Sequence, residues 1–165
     1  MAGASILVYA ERLGGSLSHI EKLLANELSD FCGVHVLPFF HPFDGDDAGF
    51  DPIDHTIVDP RLGSWEDFRR ISATHELTAD LIINHASNLS PEFLDLQEKG
   101  DASEFAGMFL TFDKVFPTGG TEETITSFYR PRPGLPFTAF NIAGTRRLVW
   151  TSFMPSQVDI DVRHP

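Results

Sequence analysis

Cations are scarce in this chain. Twelve Lys and Arg stand against 24 Asp and Glu, a formal net charge of −12. Nucleic-acid binding relies on basic side chains that neutralise phosphates, so that class is excluded, and anionic membrane surfaces are disfavoured by the same sign. Cysteine is nearly absent as well. The lone Cys32 cannot build an intramolecular disulfide framework, which fits a reducing cytoplasm. On burial statistics that thiol reads as a small apolar residue packed beside a strand. No run of about 18 apolar residues exists, and no charged segment leads into a short apolar one, so neither a membrane span nor a secretory leader is expected. Repeats, low-complexity tracts and heptads are also lacking.

What is present is ordinary in bulk and unusual in placement. At 165 residues, 42% hydrophobic and 22% charged, the chain can bury about 70% of its unfolded surface in a globular core. Fifteen Phe against two Tyr favour apolar packing or ring platforms.

Ile6 to Tyr9 reads as a short buried strand. Ser16 or Ser18 can cap a helix with an apolar face of Ile20, Leu23, Leu24 and Leu28. Gly33 opens a second strand, and Ser64 with Asp67 resembles a capping box for a helix through about Ser72. Leu81 to Ile83 form a continuous apolar run, expected of a parallel strand covered on both faces. The order is β-α-β-α-β, with right-handed crossovers. After it the rhythm breaks. Ser90-Pro91 starts a helix that Gly100 closes, and a hairpin is expected from Phe137 to Ile142 and from Arg146 to Phe153.

The segment between strand 2 and the capping box carries the chemistry. Six aspartates lie between Asp44 and Asp59, with Phe50 set among them and Phe40 and Phe43 just before. Buried unpaired carboxylates are too costly for this to be core. Exposed rings leave too much apolar surface in water for it to be a plain linker. Carboxylates, ring faces and flexible backbone after a strand are the makings of a polyol pocket. Asp44, Asp46 and Gly49 also fall at positions 1, 3 and 6 of an EF-hand-like loop. Ala48 at position 5 and His55 at position 12 leave out the bidentate Glu, so calcium is not expected there. Gly14-Gly15 and Gly119-Gly120 lack the Lys-Ser/Thr context of a phosphate loop.

The acidic block from Gly33 to Gly63 resembles the second βα-loop of the sucrose phosphorylases, a branch of the α-amylase superfamily. The resemblance continues through Ala79-Asp80-Leu81-Ile82-Ile83-Asn84-His85, Tyr129-Arg130-Pro131-Arg132-Pro133-Gly134-Leu135-Pro136 and the run from Trp150 to Asp161, and it begins with Leu7 to Gly14. It implies an α/β fold, a partial TIM (β/α)8 barrel holding strands 1–3 with an inserted α+β subdomain of domain B type. Residues 1–85 would be the first part of the barrel, 86–156 the insertion and 157–165 the lead-in to strand 4. A whole barrel needs eight strands and roughly 250 residues, so this would be the N-terminal part of an enzyme, with an open sheet edge prone to aggregation.

The implied activity is retaining glucosyl transfer from sucrose to inorganic phosphate, giving glucose 1-phosphate and fructose. A glucosylglycerol phosphorylase or related glucoside phosphorylase is the near alternative; a non-catalytic carbohydrate-binding fragment is the alternative of another class. No catalytic residue is assigned, because the family's nucleophile and acid/base would lie beyond residue 165. Asp159 and Asp161 form a spaced pair but precede the nucleophile's strand. By resemblance Asp47 grips glucosyl hydroxyls, which suits a carboxylate because it accepts two strong hydrogen bonds. His85 meets the glucosyl O6 region, and Phe50 packs on the sugar's C5–C6 face. Phe153 stabilises the cationic transition state through its ring face. Arg132 meets phosphate or fructose with its donor fork, and Gln157 is an acceptor-side contact. Neither a metal nor another cofactor is implied: Asn84 matches a calcium-associated position of many amylases, but this branch manages without the ion. The full-length enzyme would be cytoplasmic and a candidate homodimer.

Overall fold

The computed structural model describes residues 3–129 and 132–164. The chain forms two compact units, Met1–Leu81 and Ile82–Pro165.

In the first unit, β1 (Ser5–Val8) runs into α1 (Leu17–Ala25), and β2 (Gly33–Val36) is followed by a short antiparallel pair, β3 (Phe40–His41) and β4 (Asp54–Val58). Then come α2 (Trp65–Ser72) and β5 (Glu76–Ala79). β1, β2 and β5 form a parallel sheet in that order, with β2 in the middle, Leu7 aligned with His35 and His35 with Thr78. Local chemistry sets the helix starts. The Ser16 hydroxyl accepts from the His19 amide at the start of α1. At α2 the Asp67 carboxylate accepts from the Ser64 amide at 2.7 Å, the capping box read from the sequence. Leu17, Ile20 and Leu24 of α1 and Phe68 and Ile71 of α2 bury against Val8, Val34 and Val36 of the sheet.

The third strand departs from expectation. It is Glu76–Ala79 that extends the sheet; Leu81 and Ile83 are 81% and 58% exposed, and only Ile82 is buried. The chain leaves the sheet at Asp80, whose carboxylate pairs with His35 Nε2 at 3.1 Å. Only one sheet face is covered. Ile6, Val34 and Leu77 meet the helices, whereas Leu7 on the other face is 59% exposed and Thr78 is exposed. Cys32 is only half-buried, its thiol donating to the Ala4 carbonyl at 3.4 Å.

The second unit begins with β6 (His85–Ser87) and α3 (Pro91–Lys99), which Ser90 caps by accepting from the Phe93 amide; Gly100 at φ +59° ends it. Two short helices follow, α4 (Phe112–Val115) and α5 (Glu122–Thr126). A hairpin joins β7 (Phe137–Ile142) to β8 (Thr145–Trp150), and β9 (Gln157–Asp159) pairs antiparallel with β6. The hairpin loop is the two residues Ala143 and Gly144, both at positive φ, as a tight primed turn requires. Its core centres on Phe93, edge-on to Phe109 and Phe140 at 5.0 and 4.9 Å between ring centres. Lys114 ties down the segment before α4 by donating to the carbonyls of Ala106, Gly107 and Phe109 at 2.7, 3.0 and 3.1 Å.

Candidate functional site

In the acidic loop of the first unit, Arg61 and nearby backbone amides engage several of the carboxylates in holding the loop. Arg61 is the main brace. Its guanidinium forks onto both Asp44 oxygens at 2.6 and 2.7 Å, and it meets the two Asp59 oxygens at 3.0 and 2.7 Å. The same guanidinium lies 4.4 Å over the Phe43 ring. Asp59 also accepts from the Phe43 amide at 3.3 Å. The Arg61 hydrogen bonds hold the Asp59 carboxyl far below the usual carboxylate range and lower that of Asp44; the two carboxylates push Arg61 up.

Asp51 plays a second bracing part inside the loop. It is 6% exposed, and its Oδ2 accepts from the Asp46 amide at 3.1 Å while Oδ1 is buried with no hydrogen-bond partner. Burial raises its carboxyl above the ordinary value, and the nearby amides of Asp46 and Asp47 pull part of the way back. Gly45 is what lets the carboxylate in: a Cβ there would lie 2.1 Å from Asp51 Oδ1. Gly49, at φ +84°, passes so close to the Phe43 carbonyl that a Cβ would lie 2.6 Å from its oxygen. Asp54 accepts from the Thr56 amide and hydroxyl at 2.7 and 2.6 Å, a local turn. Four of the six aspartates thus shape the loop. Of the other two, Asp46 is exposed and Asp47 is half-buried, its carbonyl accepting from the Phe50 amide at 3.1 Å.

The rings divide in the same way. Phe40, expected with the exposed rings of the loop, is instead buried, stacked with Phe39 in a cluster that includes Trp65 and Phe68, and so belongs to the core. Phe43 lies beneath Arg61. Phe50 is half-buried beside Asp47 in sequence.

The second unit holds a buried polar surface. Along the β6–β9 pair, His85 faces Asp159 and Ser87 faces Gln157, so these four side chains share one face, while Ala86 and Val158 enter the apolar core from the other. All four polar residues are at most 6% exposed. The Asn84 side-chain amide donates to His85 Nδ1 at 2.8 Å, which places the proton of the neutral ring on Nε2. The Phe153 ring is tilted against the imidazole, centres 5.6 Å apart. Asp159 Oδ2 accepts from the Ser152 amide and hydroxyl, and Gln157 Oε1 accepts from the Met154 amide.

The structure therefore brings His85, Phe153 and Gln157 together in one unit and sets Asp47 beside Phe50 in the other. Arg132 is exposed in the bend before β7; its neighbours Arg130 and Pro131 in the Arg-Pro-Arg-Pro motif lie outside the described residues. Sequence reasoning passed over Arg61 and Ser152, and left Asp51 ambiguous among the loop aspartates, some of which were expected to brace the loop. A signal existed for Arg61, the sole Lys or Arg from Phe39 to Gly63, closing a run of six acids. Among the described residues, no three His, Cys, Asp or Glu side chains gather as a metal-ligand set, and no helix is long and apolar enough to cross a membrane.

No family model matches the chain. Similarity to individual proteins is extensive. Sucrose phosphorylase from Bifidobacterium adolescentis is 54% identical over 158 residues, which are 94% of this chain and 31% of that protein. Sucrose phosphorylase from Agrobacterium vitis is 51% identical over 95% of this chain and 33% of its own length. The crystal structure of sucrose 6F-phosphate phosphorylase from Thermoanaerobacter thermosaccharolyticum superposes with a TM-score of 0.90 at 35% identity, covering 99% of this chain and 35% of that one. The chain spans about a third of the length of the curated relatives it matches. Across nearly all of its own residues, this chain is similar to sucrose phosphorylases over about a third of their length.

Proposed function

We propose that this chain is the N-terminal part of a sucrose phosphorylase-like retaining glucosyltransferase, which converts sucrose and inorganic phosphate to glucose 1-phosphate and fructose. The observation that carries this reading is the half-identical match to two sucrose phosphorylases along nearly the whole chain. The parallel β1–β2–β5 sheet would be the first three strands of a (β/α)8 barrel, whose interior the uncovered face of Leu7 and Thr78 would line. The second unit would be the insertion that follows strand 3.

Within that frame Asp47 is the glucosyl-binding carboxylate. Its support is its place in the loop, half-buried beside Phe50, in a segment whose shape Arg61 and local amides fix through Asp44, Asp51, Asp54 and Asp59. A carboxylate can accept from two vicinal hydroxyls at once, and Phe50 supplies an apolar face for the C5–C6 edge. His85 donates from Nε2 to a sugar hydroxyl, its orientation set by Asn84. The Phe153 ring offers its electron-rich face to positive charge developing at the anomeric carbon. Arg132 and Gln157 are assigned to the acceptor side, where a guanidinium fork suits a phosphate oxyanion. Retaining transfer also requires a nucleophilic carboxylate and an acid/base roughly 5–5.5 Å apart. Both would come from later strands of the enzyme, so these residues bind and orient glucose but do not displace fructose.

The test is phosphorolysis of sucrose by the full-length enzyme. Asp47→Ala and His85→Ala are each expected to lower turnover more than tenfold, at least about 1.4 kcal/mol of transition-state stabilisation. Wild-type rates in both would overturn the site assignment. Glucose 1-phosphate released from glucosylglycerol but not from sucrose would overturn the substrate.

A further inference from the structure

The bend that carries Phe153 is held at two points by a single strand. Ser152 donates its amide to Asp159 Oδ2 at 3.0 Å and its hydroxyl to the same oxygen at 2.6 Å. One residue beyond the ring, the Met154 amide donates to Gln157 Oε1 at 3.0 Å. The Ser152 hydroxyl also accepts from the Trp150 indole at 2.8 Å, so its one proton is directed at Asp159. Asp159 and Gln157 lie two positions apart on β9 and point to the same face, about 7 Å apart along the strand. That spacing matches two amides flanking one residue. The residue between them is Phe153, and its ring rests on His85.

We propose that Asp159, acting with Gln157, is a positioning residue: the pair clasps the amides on either side of Phe153 and so fixes its ring against His85. The clasp rests on the reading above only in assigning Phe153 to the sugar. Its parts are buried, Asp159 at 6% and Gln157 at 0% exposure, where hydrogen bonds are little weakened by water. Asp159 does not touch the reacting atoms. It acts through the ring, so its loss should appear in turnover and not in phosphate binding.

A double-mutant cycle in the full-length enzyme tests this. Asp159→Asn and Ser152→Ala are each expected to lower kcat about tenfold with the KM for phosphate unchanged. Because both act through Phe153, Asp159→Asn added to Phe153→Ala should lower kcat no further than Phe153→Ala alone. Losses that multiply, or wild-type turnover in both Asp159→Asn and Ser152→Ala, would overturn the clasp. A separate arm needs no turnover. Amide exchange at Ser152 in the 165-residue chain should quicken in Asp159→Asn, and unchanged exchange there would also overturn it. Wild-type turnover in Phe153→Ala with quickened exchange in Asp159→Asn would uphold the clasp and remove only the sugar contact. Should Asp159→Asn fail to fold, Ser152→Ala carries the kinetic arm, and the exchange arm follows Met154 in Gln157→Ala.

Discussion

Gly45→Ala is the sharpest test of how the acidic loop is built. The backbone at Gly45 is not in the left-handed region, so an alanine there is strained by its surroundings alone. Its methyl would start 2.1 Å from Asp51 Oδ1 and 2.8 Å from Cγ, more than an ångström inside ordinary contact. Bond-angle bending cannot supply that much, since about 7° already costs about 1 kcal/mol. The Asp51 carboxylate must move instead. A shift of an ångström takes its 3.1 Å bond from the Asp46 amide past the range in which it counts as a hydrogen bond. Stranding a buried carboxylate and an amide costs about 1–3 kcal/mol, so the expected loss is about 2 kcal/mol. Urea unfolding of the chain, followed by the fluorescence of Trp65, which packs on Phe39 and Phe68, would measure it. Asp51→Ala removes the obstructing group, so Gly45→Ala should add almost nothing in that background. A Gly45→Ala protein within about 0.5 kcal/mol of wild type, or strictly additive losses in the double variant, would refute the packing described.

Two more outcomes follow from the same structure. Asp59 has its carboxyl depressed by Arg61, so its contribution is present above the unfolded carboxylate range near pH 4 and is lost as the pH falls below it. Asp51 is raised by burial and has the opposite sign, its destabilising charge appearing as the pH rises through the raised value. Asp59→Asn should therefore flatten the acid limb of stability against pH and Asp51→Asn the limb above pH 4, each read from urea midpoints. The uncovered sheet face, with Leu7, and the exposed Leu81 should make the isolated chain self-associate as its concentration rises; sedimentation velocity would show it, Leu81→Glu should reduce it, and a wild-type monomer at every concentration would contradict it.

The amino-acid sequence alone determined the features whose partners are near in the chain. Ser64 with Asp67, Ser90-Pro91 with Gly100, and the turn at Ala143-Gly144 each satisfy their own amides within a few residues, so residue type and spacing are enough. The loop after β2 was legible as a built polar loop for a related reason: its composition fits neither a core nor a solvated linker. Only the tertiary structure decided which aspartates hold that loop. Arg61 is seventeen residues from Asp44, and Asp51 reaches back to Asp46 only because Gly45 leaves room. The third strand was misplaced because Leu81 to Ile83 is the more apolar run, yet Glu76 to Ala79 aligns with Gly33 to Val36. Only Leu77 of that strand packs on the covered face, with Glu76, Thr78 and Ala79 exposed, so one apolar side chain sets which face turns inward and leaves too thin a pattern to mark the strand. In the sequence Gln157 reads as an acceptor-side contact and Asp159 as half of a spaced acidic pair, while Ser152 carries no signal. What joins them to Phe153 is a strand and a bend folded back on each other, a juxtaposition that only the folded chain creates.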